Sequence, residues 1–87
     1  MTLTELRAGK YNGKVFNLVH NASGKGLGER KLVEFVKRDS SLAFELPHGT
    51  LSYASLRGVR FVELADGFQL RDNSKTDRLL AEYVLTS

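Results

Sequence analysis

Apolar and polar residues alternate with a period of two along most of this chain, and short clusters of turn-forming residues interrupt the alternation. That pattern belongs to half-buried β-strands joined by tight turns. Residues 13 to 21, GKVFNLVHN, read as the first strand and residues 30 to 38, RKLVEFVKR, as the second. Before them, Thr4 is placed to cap a helical turn that Gly9 ends.

Register follows from which side chains share a face. A two-residue loop at Asp39-Ser40 sets Phe35 opposite Phe44 and Val33 opposite Leu46, and collects Val33, Phe35, Leu42, Phe44 and Leu46 on the inner face. It also sets Glu34 opposite Glu45 outside. At PHGT, residues 47 to 50, the face-preserving register is Leu46 opposite Leu51 and Phe44 opposite Tyr53. Residues 53 to 58, YASLRG, break the alternation and are expected to form a 3₁₀ turn. Asp66-Gly67 is the strongest hairpin signal in the chain. It predicts Ala65 opposite Phe68, Glu63 opposite Leu70 and Val62 opposite Arg71, with Arg60 diagonal to Arg71. Residues 76 to 85 fit a strand with Leu79, Ala81, Tyr83 and Leu85 on one face, or a helix capped by Thr76; the strand is preferred.

These elements predict a mainly β, single domain over residues 1–87: a small curled antiparallel meander or barrel with a short N-terminal helical turn. The stretch TLSYASLRGVRFVEL is similar to the strand, 3₁₀ turn and final strand of SH3-like and Sm-like barrels. The resemblance implies a binding module rather than an enzyme, by analogy of fold, and it carries over no functional residues. An additional Asp-Gly hairpin and C-terminal segment depart from the five-stranded pattern.

Composition narrows the chemistry. The chain has 87 residues, no cysteine, thirteen basic and ten acidic residues, and a net charge of +3. Without cysteine there is neither disulfide nor thiolate metal site, which fits a reducing, cytoplasmic setting. MTLTELRAGK lacks the basic-then-apolar order of a signal peptide, and no apolar run approaches the ~20 residues of a membrane span. No cofactor is expected. A chain this short has a small core, so oligomerisation would help it. If the core is as read, Val15, Val19, Leu32, Val36, Val62 and Leu64 face outward, and a homo-oligomer is one way to cover them.

The glycine-rich stretch NASGKGLGER, residues 21 to 30, invites comparison with phosphate loops. Gly24-Lys25 is followed by Gly26 rather than Ser or Thr, Glu29 stands where a dinucleotide loop needs its last glycine, and a strand follows instead of a helix. The stretch reads as a connection between strands, with Lys25 at its tip available to a partner. His20 and His48 sit at a strand end and in a turn, and no serine has a nucleophile-elbow context. The pair Glu34–Glu45, with Glu63, is the only carboxylate set suggesting acid–base catalysis. Arg57, Arg60 and Arg71 gather on the outer face and give the leading expectation: a non-enzymatic module for RNA or another anionic partner. A protein-interaction module or homo-oligomeric adaptor is the alternative, and a small carboxylate enzyme the third.

Overall fold

A computed structural model describes residues 1–24 and 26–86 of the chain, so Lys25 lies outside the described residues. Thr2 caps a short helix, α1 (Leu3–Arg7). The cap is a closed box: the Glu5 N–H donates to the Thr2 hydroxyl at 3.1 Å, and the Thr2 N–H donates to the Glu5 carboxylate at 2.8 Å. The expected cap, Thr4, is instead inside the helix. Seven strands follow: β1 (Val15–Asn21), β2 (Gly28–Val36), β3 (Ser41–Glu45), β4 (Leu51–Ser55), β5 (Val59–Leu64), β6 (Gly67–Asp72) and β7 (Leu79–Leu85). The C-terminal segment is therefore a strand. No helix among the described residues is long and apolar enough to cross a membrane.

The strands form one antiparallel sheet in the order β4-β3-β2-β1-β7-β6-β5. Every consecutive pair is hydrogen-bonded except β4 and β5, and β7 returns to pair with β1. Both free edges thus belong to strands separated only by Leu56, Arg57 and Gly58. In a flat sheet of seven strands the edges would stand about 29 Å apart. Three linking residues span at most about 15 Å. The sheet must therefore curl until its edges approach, and it stops short of closing into a barrel. Register shifts help it bend: Val19 in β1 and Val33 in β2 are extra residues opposite their partner strands, and β6 and β7 slip between Leu70 and Arg71.

The concave side holds the core. Phe16, Phe44, Phe68, Leu6, Leu32 and Leu42 are fully buried. Tyr83 stacks on Phe44 at 4.8 Å and on Phe68 at 5.0 Å between ring centroids, joining β3 to β6 across the interior. α1 inserts Leu6 into this core, its Arg7 guanidinium lies over the Phe35 ring, and the Met1 ammonium donates to the Leu64 carbonyl.

Three registers and one turn differ from the sequence expectation. At the β2–β3 hairpin the loop is Lys37–Ser40 rather than Asp39-Ser40, and Phe35 pairs with Leu42. The shift at Val33 then sets Leu32 opposite Phe44. Leu32 is therefore core, while Val33 is 40% exposed, the reverse of strict alternation. At the β3–β4 turn Phe44 opposes Ser52 and Glu45 opposes Leu51. At the β5–β6 turn the loop is Ala65-Asp66, with Leu64 opposite Gly67 and Arg60 directly opposite Arg71. Gly67 belongs to the strand because β7 passes against it: a Cβ there would overlap the Tyr83 carbonyl oxygen. Finally, residues 53 to 58 hold no 3₁₀ turn. β4 runs to Ser55, and Gly58, at φ 69°, makes the reversal.

Candidate nucleic-acid interface

Three loops meet where β4 hands over to β5. The Leu56 N–H donates to the Ser40 carbonyl at 2.8 Å, the Arg57 guanidinium to the Arg38 carbonyl at 3.3 Å, and the Asn73 N–H to the Gly58 carbonyl at 3.4 Å. The region carries Lys37, Arg38, Arg57, Arg60, Arg71, Lys75 and Arg78 against Asp39, Asp72 and Asp77. Seven basic against three acidic residues leave a surplus of four, so the rest of the chain is one charge negative. The modest positive charge of the sequence is thus concentrated at one end of the sheet.

Within it, Arg60 and Arg71 converge on one residue. Arg60 grips the Asp77 carboxylate through Nε at 3.1 Å and Nη2 at 2.9 and 2.7 Å. Arg71 donates Nη1 to the Asp77 carbonyl at 3.0 Å and Nε to Gln69 Oε1 at 3.1 Å, and Gln69 donates to Glu82 at 2.6 Å. A polar string therefore crosses the convex face of β7, β6 and β5. The Arg60 guanidinium holds the Asp77 carboxyl below the usual carboxylate value, and Asp77 raises Arg60 in turn. Asp77 sits at φ 48°, a conformation that asparagine and aspartate tolerate better than most residues. The pair is about half exposed, so water screens it.

The expected convergence of Arg57, Arg60 and Arg71 holds in part. Arg60 and Arg71 face each other, and Arg57 joins through the β4–β5 connection rather than by side-chain contact. An aromatic neighbour was hidden from sequence reasoning by the wrong β3–β4 register. Tyr53 faces outward opposite Ala43 and is 60% exposed. Ser55 follows it at a spacing of two on the same face of β4, just before the turn that carries Arg57. The signal for Tyr53 was the small size of Ser52 and Ala54, which leave the other face of β4 without a large side chain.

The candidate acid–base set does not assemble. Glu34 opposes Ala43, Glu45 opposes Lys31, and Glu63, opposite Phe68, is exposed. His20 and His48 are exposed as well. Among the described residues no three histidine or carboxylate side chains form a metal-binding group. Of the six residues expected to form an outward apolar face, Leu32 is in the core, Val19 is 44% exposed, and Val15, Val36, Val62 and Leu64 are half-buried. The chain matches no protein-family model, no curated protein and no solved structure.

Proposed function

We propose that this chain is a non-enzymatic binding module for single-stranded RNA, engaged through Arg57, Arg60 and Arg71 with Tyr53 as a stacking platform. The observation that carries the reading is the gathering of the positive charge at the β4–β5 end, together with an exposed aromatic ring on β4, the strand that leads into it. Single-strand binders combine those two elements, a cationic track for the backbone and a ring for a base. The Arg60 fork already holds a pair of carboxylate oxygens in the geometry a phosphate would use. Bound RNA exchanges with Asp77 at that fork. The likeness to SH3-like and Sm-like modules, and a cytoplasmic setting, go with this reading by analogy.

Fluorescence anisotropy with a labelled 12-nucleotide RNA tests it. Arg60→Gln with Arg71→Gln lowers affinity at least tenfold and flattens the salt dependence, which starts near a slope of about −2 for three phosphates on a single strand. Asp77→Asn frees the fork and raises affinity. Unchanged, salt-sensitive binding in the double variant, or no binding by the unaltered chain, removes the proposal.

A second reading rests on β4 itself. Leu51, Ser52, Tyr53, Ala54 and Ser55 form a free edge with no charged residue, and Leu51 and Tyr53 are exposed. Natural edges are usually guarded by charge, and an unguarded one is suited to pairing with another strand. A protein partner or a second copy would add to it. Sedimentation of the chain and of Ser52→Lys separates the cases: a dimer that the lysine dissolves favours self-pairing, and a monomer throughout removes it.

A further inference from the structure

The concave side carries a second candidate site, built around Arg30 and Tyr83 rather than around the arginines of the RNA surface. Between the free edges β4 and β5 lies an open cleft of about 510 Å³. β4 contributes Ser52, Tyr53, Ala54 and Ser55 to its wall, with Ser52 and Ala54 opposite Phe44 and Leu42. Its size is within the range of small-molecule sites. Leu18, Val59, Leu70 and Ala81 line its apolar part, and Arg30 and Tyr83 stand in the same wall.

Arg30 is 9% exposed. Its Nη1 and Nη2 each donate at 2.8 Å to a neutral backbone carbonyl, of Glu29 and Gly26. Among the described residues no carboxylate ion-pairs with it. A guanidinium has five donors, so three remain. A buried charge ordinarily has a counter-charge, because desolvation without one is expensive. Tyr83 is 6% exposed, and its hydroxyl has no hydrogen-bond partner among the described residues. Every fully buried side-chain polar atom there does have one, so the phenol oxygen is not sealed in and opens on the cleft. The two groups are also close enough that Arg30's charge acts on the phenol.

We propose that this cleft binds a small organic monoanion with an apolar tail, its carboxylate held by Arg30 and the Tyr83 hydroxyl and its tail lying along Leu18, Val59, Leu70 and Ala81. A planar carboxylate suits the guanidinium fork. One buried cation balances one negative charge, whereas a phosphate monoester near −2 would carry an uncompensated charge into the cleft. The apolar lining selects against bare inorganic anions. The groups that hold the carboxylate, Arg30 and Tyr83, are distinct from Arg57, Arg60 and Arg71, while Tyr53 borders both sites.

Decanoate, decanol and decyl phosphate, titrated into the full chain, test the assignment by calorimetry and methyl NMR. Decanoate is expected to bind one to one, with shifts at Leu18, Val59, Leu70 and Ala81 and none at the outward Val33. Decanol and decyl phosphate should bind at least tenfold more weakly. Arg30→Gln should weaken decanoate at least tenfold while leaving RNA affinity unchanged, and Tyr83→Phe, which keeps the ring stack, should weaken it severalfold. Because Arg30→Gln removes a buried group and is a folding risk, the ligand comparison and the methyl map on the unaltered chain decide the matter without it. Decanol binding as tightly as decanoate, a preference for decyl phosphate, shifts centred on the convex face, or no saturation by 1 mM decanoate would each overturn the proposal.

Discussion

Gly67 and Tyr83 are held so close that the first has no room for a side chain. A Cβ on Gly67 would run into the carbonyl oxygen of Tyr83, the same residue whose ring stacks between Phe44 and Phe68. Gly67→Ala must push β6 away from β7 or move that ring. Overpacking of this kind costs about 2 kcal/mol or more. Urea denaturation should show the loss. A Gly67→Ala chain as stable as the parent would mean that the two strands are not packed as described.

The β2 register makes a paired prediction. Leu32→Ala opens a cavity in the core and should cost about 2–5 kcal/mol. Val33→Ala, next to it on the exposed side, should stay within about 1 kcal/mol. Strict alternation requires the opposite ranking, so thermal melts of the two variants choose between the registers.

In acid, the helix cap loses a stabilising charge. The Lys10 ammonium and the Thr2 N–H hold the Glu5 carboxylate at about 2, below its ordinary 4.5. The folded state therefore favours the ionised form. Its contribution is complete above 4.5 and is lost as pH falls toward 2. A carboxyl titration followed by NMR should place Glu5 near 2, and Glu5→Gln should abolish this part of the acid dependence.

Tyr83 governs the alkaline side. Burial pushes its phenol up to about 12 from an ordinary 10, against the pull of Arg30. The fold favours the neutral phenol, so its contribution is complete below 10 and disappears as pH rises through 10 toward 12. Stability measured from pH 9 to 12 should fall in the parent and fall less in Tyr83→Phe. Decanoate at saturation should shift the decline in the parent, since the ligand and the phenol share the cleft.

The strands themselves were legible because period-two alternation survives in FNLVHN, LAFEL and RFVEL, and because glycine and proline mark the breaks. The register was less so. Each misplaced pair lies next to a feature with no local signature: the extra residue at Val33, the four-residue loop at Lys37–Ser40, the intrusion of β7 on Gly67. The candidate interface was half readable. Arg57, Arg60 and Arg71 stand out by residue type, while Asp77, Tyr53 and the Arg30–Tyr83 cleft do not.

By itself, the sequence determined that this chain forms short antiparallel strands, a capped first turn and a basic arginine-bearing surface, because alternation, caps and charge act over a few neighbouring residues. The tertiary structure alone decided that β7 closes onto β1, that β4 and β5 remain unzipped, and that a buried cation and a phenol without a partner among the described residues share the gap. Those outcomes depend on the curl of the whole sheet, and curl accumulates from twist and bulges across all seven strands rather than from any short stretch of chain.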